Sequence, residues 1–374
     1  MPILALALLL LLFSPFTVAD DIQPHSSSAR ATVMEVLEEQ RGGEIDRQWL
    51  RVRILTGPLS GETVELEHAQ VAGSNPGFAV WARAGDRVML ELEHHGDTVT
   101  GIYLFDHDRT HALVLLIALF AFLIMVVGGL HGLRTLLTLA ITLGLIGIVL
   151  LPALFRGWPP VTTALVVGLV AALATFLVVA GPSRKTAAAT IGTLGGLMAA
   201  VILAALFSQL ASLGGLSSQE AQMLYYTQAA EGLDFRGLLL AGILIGALGA
   251  LTDITIVQAS VVRELAHTDP SLGLRQLYAR GMNVGRDHVG SLVNTLVLAY
   301  TGAGLSLFVL LHIYQVTAAR AFNLELVATE VVHTLVGSIG LILAVPITTV
   351  LAAWWFRGDR LPLKPGELEH GHAH

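Results

Sequence analysis

Seven apolar blocks of about twenty residues constrain this chain more than any other feature, over 112–130, 135–155, 161–181, 186–209, 237–262, 288–312 and 329–356. A block of that length crosses the roughly 30 Å hydrocarbon layer as a helix and closes its backbone hydrogen bonds internally. An outer-membrane barrel, built from short alternating segments, is excluded. Composition agrees, with 54% of the 374 residues hydrophobic and only 13% charged, too apolar for a soluble protein of this size. Cysteine is absent, which removes disulfides, thiolate metal sites and cysteine nucleophiles together. The expected fold is a polytopic α-helical membrane bundle of about seven transmembrane helices, without a cofactor.

Ahead of the bundle the pattern changes. Residues 1–19 have the short apolar core of a signal peptide, with Thr17-Val18-Ala19 as a small-residue cleavage site, or else form an N-terminal anchor. Either places residue 20 onward outside the cytoplasm. Five runs with period-two alternation follow: ATVMEVLEE, WLRVRILTG, TVELEH, RVMLELEHH and TVTGIYLF. Leu50, Val52 and Ile54 alternate with Arg51 and Arg53, which gives a strand one buried and one wet face. Gly57-Pro58-Leu59-Ser60-Gly61 reads as the turn of the first hairpin. Five short strands suggest a small extracytoplasmic β-barrel, OB-like in size. The domains are thus 1–19, the β domain 20–108, the transmembrane domain 109–356, and a His-rich cytoplasmic tail 357–374.

Charge divides along the same line. Residues 20–109 hold 16 acids and 8 arginines, leaving 12 acids and 13 basic residues for the remainder. The acidic exposed domain repels phosphate, so nucleic acid is excluded as its partner. Counted by loop, Arg134, Arg184, Lys185, Arg263, Arg275, Arg280, Arg286, Arg357, Arg360 and Lys364 fall on one side of the bundle, and Arg156, Arg236 and Arg320 on the other. Ten against three puts the C-terminus in the cytoplasm. In the outer loop 210–235, Ser217 or Ser218 starts a short helix as its N-cap.

One stretch carries the candidate chemistry. Gly242, Gly246 and Gly249 lie on one helical stripe with Asp253, so this face permits close helix approach and also holds an acid at membrane depth. A basic loop over 263–286 leads to a span carrying Asn294 and Thr295. Helix rise places Asp253 about 13 Å and Asn294 about 10 Å from the cytoplasmic end, a common layer that Thr193, Thr348 and Thr349 also reach. Asp253 is expected to bind a cation or proton, with Asn294 and Thr295 as neutral ligands and Arg280 and Arg286 at the mouth. An ion pair of Asp253 with an arginine of the basic loop is the structural alternative. Asp287 sits beside Arg286 at the membrane boundary, where a local ion pair or an N-cap role explains it as well. Glu330 and His333, one turn apart, read as a solvated helix start. His370, His372 and His374 in the tail are weak metal ligands without a scaffold.

The segments GALGALTDITIVQASVVREL, ARGMNVGRD and GSLVNTLVLAYTGAG resemble the YibE/F family of bacterial multi-pass membrane proteins, over about residues 110–356. On that resemblance Asp253, Asn283, Gly285, Arg286, Asp287, Asn294, Thr295 and Tyr300 match the family motif, while Thr252 and Gln258 are not placed by it. The resemblance implies a transporter or permease of unassigned substrate.

The sequence therefore reads as an inner-membrane permease for an ion or small solute rather than an enzyme. Its expected partners are the lipid bilayer, that solute, and an extracytoplasmic protein or a second copy of the chain. The alternative is a membrane-anchored binding or assembly module whose barrel docks a partner. An intramembrane aspartyl protease using Asp253 and Asp287 requires the two carboxylates to share a proton, and neither acid lies in a Gly-x-Gly-Asp context.

Overall fold

The computed structural model describes residues 26–71, 80–95, 98–227 and 232–357. The proposed signal peptide and the tail histidines lie outside the described residues, as do Arg360 and Lys364. Two compact units divide the chain near residue 123.

Among the described residues the first unit contains five antiparallel strands: β1 (Ser26–Gln40), β2 (Ile45–Ile54), β3 (Thr63–Val71), β4 (Arg87–His95) and β5 (Thr98–His107). All five alternating runs form strands, and β1, β2 and β4 turn every second side chain of their central residues inward, while β3 and β5 bury only Leu66 and Leu104. Ala29, Ala31, Val33, Leu50, Val52, Ile54, Val88, Leu90 and Leu92 fill the interior. The strand order is β3-β2-β1-β4-β5. β1 serves two neighbours, pairing through Ser26–Thr32 with β4 and through Ala31–Gln40 with β2. Its register shifts at Val33/Glu35 and Val36/Glu38 bend it between them. The outer strands β3 and β5 come into contact, so the barrel is nearly closed. Gly57–Gly61 turns the second hairpin, between β2 and β3, rather than the first. β1 is longer than its alternating core suggests and already meets β2 through residues 41–44.

Two kinds of polar contact hold this barrel. On the wet face Arg51 bridges Glu35 and Glu65 across the strands at 2.7 and 2.8 Å. Inside, the fully buried Gln48 amide donates to Ala82 O at 2.7 Å and to Glu39 Oε1 at 3.0 Å, while its oxygen accepts from Ala82 N at 3.2 Å.

The helical unit follows from α1 (Thr110–Leu145), a π-turn over Ile146–Leu150 and α2 (Leu151–Phe155). It continues with α3 (Pro160–Ala180), α4 (Arg184–Leu210), the short α5 (Gln219–Tyr225), α6 (Phe235–Thr268), α7 (Leu274–Ala303), α8 (Leu305–Ile313), α9 (Ala318–Phe322) and α10 (Glu325–Phe356). Among the described residues five helical runs are long and apolar enough to cross a membrane, or six if α7 and α8, bent by 56° at their junction, form one span. The blocks at 112–130 and 135–155 merge into one 46-residue run, about 69 Å long and more than twice the hydrocarbon thickness. Gly129, at φ 52° and ψ −129°, interrupts it in a conformation that only glycine adopts readily.

A second departure concerns the stretch expected to be a basic loop. α6 continues through Arg263 to Thr268, and α7 begins at Leu274, leaving a tight connection at Asp269–Gly273. Helix-forming residues extend both helices beyond the apolar blocks, and the Gln276 side chain accepts from Gly273 N at 3.0 Å to start α7. At 34 residues, α6 is about 51 Å long and overruns the hydrocarbon. The outer-loop helix starts at Ser218, whose hydroxyl accepts from Ala221 N at 3.1 Å.

α4, α6 and α10 pack on one another at the centre, with α3 and α7 against them. Glycine permits the approach. A Cβ on Gly192 would collide with the Thr348 hydroxyl, and one on Gly196 would lie 2.7 Å from Gly340 O and 2.8 Å from Ala344 Cβ. The Gly192–Gly196 face is therefore closed within the chain. Gly242 and Gly249 on α6 instead look onto open space.

Two stability outcomes follow from these contacts. Gln48→Ala strands the buried Ala82 peptide groups and should weaken the barrel by about 2–4 kcal/mol, against about 1 kcal/mol or less for Arg51→Ala; hydrogen exchange of the β1, β2 and β4 amides reads both. Gly196→Val should destabilise the bundle by about 1–3 kcal/mol through overpacking, whereas Gly249→Ala should leave it unchanged or slightly firmer. Thermal unfolding in detergent separates the two variants.

Candidate functional site

α6 has two different polar faces. Five residues separate Asp253 from Gln258, a rotation of about 140° around the helix. Gln258 faces the centre of the bundle and is fully buried. Asp253 lies on the opposite, exposed side with Gly242, Gly246, Gly249 and Val257. Among the described residues Asp253 has no hydrogen-bond or ion-pair partner, so the structural alternative, an ion pair with a basic-loop arginine, is not formed. Arg280 instead approaches Asp269 at 3.8 Å, because both flank the short α6–α7 connection.

The inward face holds the layer that was expected around Asp253. Thr193 of α4 and Thr255 of α6 are hydrogen-bonded through their hydroxyls at 2.8 Å. The Gln258 amide nitrogen donates to Gly281 O of α7 at 2.9 Å and to Thr349 Oγ1 of α10 at 2.7 Å. Thr348 packs on Gly192. Thr193, Thr348 and Thr349 thus belong to this buried layer, but its centre is Gln258. Asp253 cannot reach it from the other side of α6. Gly281 and Gly285 make room for the amide, since a Cβ on Gly285 would lie 3.0 Å from both Gln258 Oε1 and Nε2. Sequence reasoning passed over Thr255 and left Gln258 without a role, because neither carries charge. The available signal was their i, i+3 spacing opposite glycines four residues apart.

α7 is also two-sided. Val289, Leu292, Val293 and Leu296 pack on the bundle core. Asn283, Asp287 and Asn294 line the other side and are exposed, as are Arg286 and Thr295. The Arg286 guanidinium donates to Asn283 Oδ1 at 3.2 Å rather than pairing with Asp287. Asp287 sits inside α7 rather than at its start, so the N-cap reading does not apply. Thr295 donates to its own helix, at Ser291 O, 2.9 Å away. Asp253 and Asp287 are not hydrogen-bonded to each other, and Asp287 is on the side of α7 turned from the core. The shared-proton pair of an aspartyl protease is therefore not assembled.

Tyr300 does find a partner. Its hydroxyl is 3.1 Å from His333 Nε2 of α10, with ring centroids 4.5 Å apart. Both groups close over Gly246, where a Cβ would lie 2.8 Å from His333 Nε2 and 2.9 Å from Tyr300 Oη. His333 is thus a packed contact between helices rather than part of a solvated helix start, because the missing side chain at Gly246 leaves space for two rings. α7 touches α6 at two levels, Gly281–Gly285 on Gln258 and Tyr300 on Gly246. Asp253 of α6 and Asn294 of α7 lie between those levels. Among the described residues no group of three or more His, Asp or Glu side chains is placed to hold a metal ion.

No curated protein and no solved structure gives a significant match to this chain. A family model described as YibE/F-like protein does match, over residues 116–358. That match takes in every helix from α2 to α10 and most of α1, and leaves out the barrel. The helices that carry Asp253, Gln258 and Asn294 are those of the family, and the chain belongs to the YibE/F-like family of proteins.

Proposed function

We propose that this protein is a permease of the bacterial inner membrane for an ion or small solute. The observation carrying this reading is the exposed polar surface of two spans: Asp253 on α6, and Asp287 and Asn294 on α7, none with a side-chain partner among the described residues, together with Asn283, which accepts from Arg286. Hydrocarbon cannot solvate such groups, and a single charged side chain at the centre of a span costs about 2.5–3.5 kcal/mol. Water or solute must reach this side of the helices for the arrangement to be stable. Asp253 would then bind a cation or proton, Asn294 and Thr295 would offer neutral oxygens, and Arg280 and Arg286 would stand at the entrance.

Charge supports an orientation. Arg184 donates to Trp355 O at 3.4 Å, so the start of α4 and the end of α10 share one end of the bundle. Glu325 accepts from Gly214 N and Gly215 N at 2.7 and 3.1 Å at the other end. The first end collects Arg184, Lys185 and Arg357, and the positive-inside rule assigns it to the cytoplasm. The N-terminal domain is extracytoplasmic if the run from Thr110 to Phe155 crosses twice, folded at Gly129, which brings the spans to seven. The barrel reads as OB-like, since its order β3-β2-β1-β4-β5 with β3 meeting β5 is that of a five-stranded Greek-key barrel. A second role, docking an extracytoplasmic partner, is favoured by Tyr103 and Phe105 of β5, 53% and 67% exposed on an acidic domain that also exposes Met34 and Val71.

The absence of cysteine makes the chain a clean background for accessibility mapping. Single cysteines at positions 253, 287 and 294 should react with a membrane-impermeant thiol reagent in intact membranes, and cysteines at Val166 and Ile202 should not. Uniform protection of the first three would remove the aqueous path. Deletion of residues 20–108 tests the second role: the permease reading expects transport to survive, and a docking module expects partner capture to be lost.

A further inference from the structure

The buried layer between α4, α6, α7 and α10 contains no charged side chain, and its hydrogen atoms can be accounted for one by one. The Thr255, Thr348 and Thr349 hydroxyls donate to the carbonyls of Leu251, Ala344 and Val345 at 2.8, 2.8 and 2.7 Å. With the Thr255 proton committed to its own helix, the 2.8 Å contact to Thr193 is a bond that Thr193 donates. Gln258 is fully buried, and its orientation is fixed. Gly281 O only accepts, so the amide nitrogen must face it, and that nitrogen also serves Thr349. The amide oxygen is left buried without any partner.

Every donor in the layer is therefore spent, and only oxygen lone pairs remain. A buried carbonyl left unsatisfied costs about 1–3 kcal/mol, and this one is accommodated against Gly285, where a Cβ would lie 3.0 Å away. Neutral amide and hydroxyl oxygens are the ligands of hard cations. With no carboxylate in the layer, a divalent ion would keep an uncompensated charge in a low-dielectric interior, which favours a single charge.

We propose that this junction binds a desolvated monovalent cation of the sodium type, with Gln258 Oε1 as anchor and the free lone pairs of the Thr193, Thr255 and Thr348 hydroxyls, in the same buried layer, as the further ligands it would recruit. The site is distinct from Asp253, which lies on the opposite face of α6. It deepens the permease reading by naming a transported or coupling ion, and it rests on that reading for this role alone.

The test uses the full chain purified in detergent and unfolded thermally in sodium, potassium or choline chloride at equal ionic strength. Sodium should raise Tm over choline saturably, by about 3 °C or more. Thr255→Val and Gln258→Met should each abolish the difference, and Asp253→Asn should keep it. Should Gln258→Met not fold, Thr255→Val carries the test. Equal Tm in all three salts, as a trapped water would give, overturns the proposal. So does a sodium shift that survives Thr255→Val but disappears in Asp253→Asn, which would move the ion to the exposed carboxylate. Absence of solute or ion flux with the sodium shift intact would overturn the permease and leave the site standing.

Discussion

Hydrocarbon offers no hydrogen bonds, so each polar group in a span must find its partner within the protein or in water. The Gln258 amide nitrogen meets that demand across three helices at once, while its oxygen stays unpaired. One side-chain nitrogen ties α6 to the α7 backbone at Gly281 and to Thr349 of α10, where Gly281 and Gly285 let the helices close. Gln258 turned inward leaves Asp253 turned outward, because about 140° of helix separates them. The bundle thus has a dry polar centre on one side of α6 and an acid with small residues on the other.

Much of this was legible in the sequence, for identifiable reasons. All five strands were readable because a half-buried strand alternates with period two, as Leu50, Val52 and Ile54 do against Arg51 and Arg53. The spans at 161–181, 186–209, 237–262 and 329–356 were readable by length and hydropathy, whereas the first two blocks run together into one helical run and the sixth is bent. The α6–α7 connection was not, because helix outside the hydrocarbon carries charge and looks like a loop; Arg263 and Arg275 lie within helices. Glycine spacing was ambiguous in the same way. Gly192 and Gly196 close onto α10, while Gly242 and Gly249 face open space, and a glycine repeat alone cannot say which face is covered. Charge also drew attention to Asp253 and away from Gln258 and Thr255, which form the buried layer without any charge.

The match to the family covers the helices and not the strands. The chemistry proposed for the membrane accordingly belongs to α4, α6, α7 and α10, and the barrel stands as an addition with its own core. The docking role proposed for it rests on the exposed Tyr103 and Phe105.

The account depends most on the exposed acid of α6 taking part in movement across the bilayer. Flux through proteoliposomes containing the whole chain, over a panel of monovalent ions and small solutes, tests this directly when wild type is set beside Asp253→Asn. The account predicts flux above protein-free vesicles for the wild type and at least a tenfold loss, about 1.4 kcal/mol of activation barrier, in the variant. Undiminished flux in Asp253→Asn, or none in the wild type for any member of the panel, would contradict it.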